Sequence, residues 1–252
     1  MPEHVSGSRN LGTVTRVRRY PVKSMAGEDL QEARVTFAGL VGDRVYAFVQ
    51  KDNHSDFPWM TGRQGHELIL FQARFLEAPT TAEEFLPAKQ FAAEVTTPEG
   101  QMFRMDDAKF TAHIEKRFGK AVWLRFSERS QTDACPVSIF GLSTVSALSD
   151  ETGMQLDARR FRANFYVRWN DDRPYLEDSL VGSQVRIGEE VVVHLVKKDS
   201  RCIMITLDPE TAAPAPVVLE KVMRAHDGCA GVYGAVLHEG IVRTNDPVCL
   251  VN

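Results

Sequence analysis

The stretch VVVHLVKKDSRCIMITLDPET, residues 191–211, sets the reading of the fold. Its two apolar runs, Val191–Val196 and Cys202–Leu207, are short, rich in β-branched residues and parted by a charged turn. Runs of this kind recur at Thr13–Tyr20, Val45–Gln50, Leu68–Phe75, Phe91–Thr97, Val122–Phe126, Phe165–Trp169, Gly231–Leu237 and Pro247–Val251. Many short strands with turn residues between them predict barrels or a sandwich, not alternating strand–helix units. Helices are few. Asp107–Phe118 places Phe110, Ile114 and Phe118 on one face, with Gly119 as its stop. Ser143–Thr152, ended by Gly153, and Leu219–Arg224 are the other two. The expectation is a mainly β chain of the α+β class. The polar stretch Ser127–Asp133 divides a first half from a second, and Thr80–Lys89 and Asp208–Pro216 read as long loops.

Composition narrows the function. The 252 residues are 43% hydrophobic and 25% charged, so the chain is globular and can bury a core without disulfide or metal staples. A net charge of −4 lacks the basic footprint of a protein that binds a nucleic-acid polymer. Any anionic ligand must therefore be held by a local cluster of basic residues. No run of about 18 apolar residues is present, and MPEHVSGSRN lacks the features of a signal peptide. No membrane association and a cytoplasmic location are expected. Cys135, Cys202, Cys229 and Cys249 form no C-x-x-C pair, which argues against zinc ribbons, thioredoxin motifs and ferredoxin clusters; they read as reduced thiols. The chain has no G-x-S-x-G, H-E-x-x-H or G-x-x-x-x-G-K-[ST] motif, nor a G-x-G-x-x-G after a strand, so hydrolase and nucleotide-binding readings lack support. His194 reads as a satisfied core or barrel histidine.

Three segments are unusual for a plain β domain. Tyr20-Pro21-Val22-Lys23-Ser24 is followed by Gly42-Asp43-Arg44; Arg160-Phe161-Arg162-Ala163-Asn164 comes next; and Ser200-Arg201-Cys202 precedes Leu207-Asp208-Pro209-Glu210-Thr211. In this order they resemble a MOSC protein, and the Tyr-Pro-Val-Lys-Ser start is similar to the β-barrel domain that precedes MOSC in the amidoxime-reducing component family. The likeness runs from about Thr13 to Val251 and takes in Gly231-Val232-Tyr233 and Asn245-Asp246-Pro247-Val248. It implies two packed β-barrel-like domains, residues 1–126 and 127–252.

The same resemblance implies a molybdenum cofactor, a pyranopterin dithiolene whose metal takes a further thiolate from the protein. Cys202 matches the metal ligand. Lys23, Ser24, Arg44, Arg162, Asn164, Ser200 and Arg201 match positions around the pterin and its phosphate, and Thr61 and Arg63 fall in a Thr-x-Arg-Gln stretch of the first domain. Asp133 matches an acidic position near the metal, and with Cys202 it makes the expected catalytic pair. A sulfur-bound, soft metal favours thiolate over imidazole or carboxylate. Arg supplies a planar fork and Lys a compact charge for phosphate oxygens. Arg201 would stabilise the Cys202 thiolate if the two approach.

Taken by residue type alone, Cys202-Ile-Met-Ile also suits an inert core thiol, Lys23 an exposed loop lysine, and Asp133 a turn aspartate. Arg160 and Arg162 share a period of two, so both are expected on one side of a strand, which could be a solvated face. Cys135, Cys229 and Cys249 read as packing residues. The chain departs from the family at Gly65-His66, where a Glu-Pro pair is usual, at Ala212 in place of Gly, and at Met25 in place of Cys.

The leading functional expectation is an oxidoreductase that removes oxygen from amidoximes, hydroxylamines or N-hydroxylated bases. Its electrons would come from a separate flavin, haem or iron–sulfur protein. The alternatives are a non-catalytic carrier of the cofactor or its sulfur, and an interaction module that has lost the cofactor.

Overall fold

The computed structural model describes residues 9–77 and 91–251, so the expected loop Thr80–Lys89 lies outside the described residues. In chain order the strands are β1 (Arg9–Arg19), β2 (Glu28–Leu30), β3 (Glu32–Thr36), β4 (Gly39–Leu40), β5 (Tyr46–Gln50), β6 (Gln72–Phe75), β7 (Ala93–Thr96), β8 (Met102–Arg104) and β9 (Val122–Phe126). They continue with β10 (Val137–Gly141), β11 (Phe165–Trp169), β12 (Gln184–Ile187), β13 (Val191–Ser200), β14 (Cys229–His238), β15 (Gly240–Arg243) and β16 (Pro247–Val251). The helices are α1 (Ala108–Phe118), α2 (Leu142–Thr152) and α3 (Pro216–Ala225).

The main sheet runs β11-β10-β14-β13-β12-β16-β1, and a further pairing of β1 with β11 closes it into a barrel, with β2 appended to β1. Closure removes the exposed edges that an open sheet would carry. Val14, Val17, Ile139, Phe165, Val167, Val185, Val193 and Val232 fill its core. A second core, with Phe48, Met60, Phe71, Phe110 and Ile114, lies between α1 and two small sheets, β5-β9 and β6-β7-β8. Helices α2 and α3 cover Phe140, Phe161 and Tyr166 in a third cluster. The fold is mainly β with few helices, as expected.

The barrel is not made by the second half alone. β1 pairs with β11 and β16, and β3 pairs with β15. The chain then leaves the barrel at Tyr20, and Val22 forms a bridge to Tyr46 in the second core. The Tyr20–Ser24 segment therefore straddles the seam between the two cores.

Local chemistry explains the element ends. Asp107 caps α1 by accepting the Lys109 amide hydrogen at 2.8 Å, and Gly119 ends the helix at φ 63°. Two expected strands are different. In Leu68–Phe75, residues His66–Leu70 form a 3-10 helix before β6 begins. Cys202–Leu207 is an extended residue followed by the 3-10 helix Ile203–Thr206. Its β-branched run buries Ile205 and Thr206 beside α3, and Arg160 Nη1 donates to the Thr206 carbonyl at 2.7 Å, which fixes the turn. His194 is half-buried, and its Nδ1 finds no protein partner, so it is not a satisfied core histidine.

Glu177 is fully buried beside β10: it accepts from the Gly141 amide (3.0 Å), the Thr144 hydroxyl (2.8 Å) and Trp169 Nε1 (3.1 Å). Burial raises its pKa, and these donors oppose the rise. Glu177→Ala would leave three buried donors without an acceptor. Urea denaturation should show a loss of about 3 kcal/mol or more, with Glu177→Gln losing less.

Candidate functional site

A cleft opens at the seam. Lys23, Ser24, Arg44, Thr61, Arg63, Asp133, Arg162, Ser200, Arg201 and Cys202 all line it, together with Asp199, Ser138, Phe57, Phe161, Met204 and Tyr233. Residues far apart in sequence thus meet because β1 crosses from one core to the other. Five basic side chains and two carboxylates share this wall.

Lys23 is buried, and its Nζ donates to the Gln131 carbonyl at 2.8 Å and to Asp133 Oδ1. Burial lowers its pKa, opposed by Asp133 and helped by Arg44 and Arg162. Asp133 is itself about half exposed. Its carboxylate is committed to Lys23.

Arg44 and Arg162 both lie on the Tyr20 ring, with guanidinium carbons 4.6 and 4.4 Å from its centroid. Arg44 donates from Nη1 to fully buried Asp43 and from Nη2 to the Arg162 carbonyl at 2.8 Å. Burial works against the Arg44 charge, but Asp43 outweighs it and the pKa is raised. Arg162 has no such carboxylate: burial, with Arg44 and Arg18 nearby, pulls its pKa down to about 10. Its Nη2 is buried with no hydrogen-bond partner. A buried, unpartnered guanidinium nitrogen on a cationic cleft is costly unless an anion completes it.

The backbone is strained at the same place. Ser24, Arg44 and Arg162 have φ of 67°, 50° and 53°, in the left-handed region that L side chains rarely adopt. Such strain persists where the surrounding structure over-determines it, which is common at binding sites. Arg162 reaches this conformation as the residue that ends a 3-10 helix, Ala158–Phe161, so the expected strand is absent there. Arg160 consequently points elsewhere and bonds Thr206 and Asp208.

Asn164 was expected at the cofactor and does not line the cleft. It is fully buried: its Oδ1 accepts from the Ser138 amide (3.1 Å) and hydroxyl (3.2 Å), and its Nδ2 donates to the Arg18 carbonyl at 3.3 Å. It ties β1, β10 and β11 together behind the wall. Thr61 lines the cleft, but its hydroxyl donates to Gln64 Oε1 and accepts the Arg63 amide, so it shapes its own turn. That turn packs closely: a Cβ on Gly62 would fall 2.4 Å from Met204 Sδ, and one on Gly65 the same distance from Phe118. Gly65 therefore suits this loop without the Glu-Pro pair. Arg63 is exposed and stacks 4.8 Å from the Phe57 centroid at the mouth.

Cys202 is half-buried, unpaired and open to the cleft beside Met204. Arg201 does not sit free for it: the guanidinium donates to the carbonyls of Ala230 (2.7 Å) and Phe161 (2.8 Å) and pairs with Asp199 at 2.8 Å. Cys135 and Cys229 are half-buried and Cys249 is buried. Ser200 has its hydroxyl 3.7 Å from Cys229 Sγ. Met25 is sealed in the second core. Ala212 has φ 58°, which explains why Gly suits that position.

Asp43, Asp199 and Tyr233 were not among the expected site residues. Asp43 carried a signal, lying between Gly42 and Arg44; it also accepts the Tyr20 amide at 2.9 Å. Asp199 lies just before Ser200-Arg201-Cys202 but reads from sequence as one more charge after Lys197-Lys198.

Comparison with known proteins decides the family. A profile for the MOSC N-terminal β-barrel domain matches residues 11–125, and one for the MOSC domain matches residues 127–249. The chain is a MOSC-domain protein. It is similar to human mitochondrial amidoxime reducing component 2, 24% identical over 294 residues that span 95% of this chain and 84% of that one. The human component 1 shows 24% identity over 96% of this chain and 84% of its own. Among solved structures, the YUAD protein from Bacillus subtilis superposes with a TM-score of 0.51 at 12% identity, covering 97% of this chain and 98% of that one, a likeness of fold. In this MOSC-domain protein no described helix is long and apolar enough to cross a membrane.

The unpartnered Arg162 makes a direct prediction. Arg162→Met should be neutral or stabilising by up to about 2 kcal/mol in urea for protein free of any bound anion, because an uncompensated buried cation is removed. The same change should weaken retention of any phosphate-bearing ligand. A clear destabilisation of the ligand-free protein would show that the guanidinium is already satisfied.

Proposed function

We propose that this cleft holds a molybdenum cofactor and that the protein reduces N-hydroxylated compounds by removing their oxygen. The observation that carries the reading is the juxtaposition of an accessible thiol, Cys202, with Arg162, whose buried Nη2 lacks a partner. The relatives' names, amidoxime reducing components, give the substrate class.

The residues present suit the group. Cys202 would hold the metal, since thiolate matches a soft, sulfur-bound centre. Lys23, Ser24, Arg44 and Arg162 would hold the pterin and its phosphate, with Arg44 fixed by Asp43 and Lys23 fixed by Asp133. Ser200 and Arg201 would line the side nearest Cys202, and Thr61 and Arg63 would shape and cover the mouth. When bound, the cofactor supplies two-electron, oxygen-atom chemistry, and the protein supplies position and electrostatics. Asn164 acts at one remove, by holding the strands behind the wall. Electrons would come from a separate flavin, haem or iron–sulfur protein, and the four unpaired thiols fit the cytoplasmic setting read from the sequence.

The test is reduction of benzamidoxime by purified protein with a chemically reduced viologen as donor. Mass spectrometry of material released on denaturation runs beside it. Wild type should release a pterin and turn over. Cys202→Ser should remain folded, lose most of its molybdenum and fall at least about 10²-fold in rate. Bound molybdenum without turnover on several N-hydroxylated substrates would favour a carrier. Protein free of both pterin and metal, from a host that makes the cofactor, would overturn the reading.

A further inference from the structure

Reduction of a hydroxylamine consumes two electrons and two protons: the N–O bond breaks, nitrogen keeps a hydrogen-bearing amine, and the oxygen leaves as water. The electrons come from the separate reductant. The proton for the oxygen needs a donor inside the cleft. Asp133 is poorly suited, because its carboxylate is about half exposed and paired with Lys23.

Asp199 is placed differently. It occupies a buried position near the end of β13, is 3% exposed, and lines the same cleft as Cys202. One carboxylate oxygen, Oδ2, lies 2.8 Å from Arg201 Nη2. Arg201 is anchored to the Phe161 and Ala230 carbonyls, so its charge stays beside the carboxylate as an ion pair, with Nη2 itself making no hydrogen bond. The Tyr233 hydroxyl, on the neighbouring strand β14, is within reach of the same group and favours its charged form. Arg44 and Asp133 line the cleft with it and act on its charge, and Cys135 is a neighbour of both Asp199 and Lys197.

We propose that Asp199, held by Arg201 and Tyr233, is the proton donor of the reduction. The assignment rests on the reductase reading above. A donor works best when its pKa lies near the operating pH. Burial raises Asp199 to about 6, with Asp133 adding to the rise and Arg201, Arg44 and the Tyr233 hydrogen bond opposing it. Tyr233 is shifted upward by burial and by Asp199, so it keeps its proton and remains a donor to the carboxylate. A bound anion in the cleft would move Asp199 further in the same direction. Asp199 in its acid form gives one proton to the departing oxygen and is left as the carboxylate, which Arg201 stabilises; the second proton, taken up by nitrogen, comes from solvent water at the mouth. Solvent then returns the proton through the mouth.

The sign follows. A carboxyl with a raised pKa is a proton donor below that value and loses the role as pH climbs through it. The ligand-free carboxyl stands at about 6, and the bound anion raises it, so turnover of the loaded wild type should fall along an alkaline limb that lies above pH 6. Asp199→Asn should lower kcat by about 10²-fold or more and abolish this alkaline limb. Tyr233→Phe removes a hydrogen bond to the charged form and should move the limb to higher pH. Asp133→Asn removes a nearby negative charge and should move it to lower pH. Infrared titration of the purified full chain supplies a readout independent of turnover: a protonated-carboxyl band titrating near pH 6 should be present in wild type and missing from Asp199→Asn. Cofactor content and thermal melting check that each variant is folded and loaded. Turnover and limb unchanged in Asp199→Asn would overturn the proposal and leave the reductase intact. A loaded wild type that reduces no N-hydroxylated compound would overturn the reductase reading and this role together.

Discussion

The Tyr20 ring carries two guanidinium groups, those of Arg44 and Arg162, and much of the site follows from how that crowding is managed. Like charges brought together away from water repel strongly, and a protein tolerates this only where something compensates. Asp43 compensates Arg44 from below, fully buried and bonded also to the Tyr20 amide and the Ser130 hydroxyl at 3.2 Å. Among the described residues no carboxylate is bonded to Arg162, and Asp43 acts on it only at a distance. The positive φ values at Ser24, Arg44 and Arg162 aim these residues into one cleft, so backbone strain and charge repulsion are stored together. An anionic ligand relieves the repulsion. The fold is thus built with part of its stabilisation left for a partner to supply.

That arrangement needs both halves of the chain. β1 closes the barrel against β11, and five residues later its continuation is bridged to Tyr46 in the other core. Lys23 and Ser24 therefore face Arg162 and Cys202 from across a seam, although most of the chain separates them. A seam between two rigid cores is a good place for an extended cofactor. The two walls can be held apart by packing and yet each remain well ordered. Gly62 against Met204 shows how closely the walls approach at the mouth.

How much of this was legible in the sequence can be argued residue by residue. Most of the longer strands and all three helices were readable, because burial on one face leaves a periodic pattern, and Gly119 and Gly153 mark two stops; β3, β10, β12 and β15 were missed, β10 because it is buried throughout and shows no alternation. The short strands β2, β4 and β8 carry too few residues for a period to register. Cys202–Leu207 looked like a strand since β-branched residues favour strands in general, yet a tertiary hydrogen bond from Arg160 favours the 3-10 turn. The motifs brought together in the cleft were legible as residue types. Asn164 was not separable from them: its side chain faces Ser138 because the turn at Arg162 reverses the direction of the wall, which no local pattern announces. Asp199 was hidden for the converse reason. Two lysines before it suggested a solvated stretch, whereas pairing of β13 with β14 turns it inward beside Tyr233.

The two carboxylates of the cleft illustrate how one fold can give the same functional group opposite properties. Asp133 stays in reach of solvent and is bonded to Lys23. Asp199 is walled off from water, so the charged form is penalised even with Arg201 at 2.8 Å. Both line the one cleft, and the distinction depends neither on their chemistry in isolation nor on sequence neighbours but on how far each is withdrawn from solvent. Burial of one carboxylate in this way fits it to hold a proton, while the other serves as an anchor for a lysine. The same logic covers the cations: Arg44 is locked by its carboxylate, while Arg162, lacking one, is the group left free to respond to a ligand.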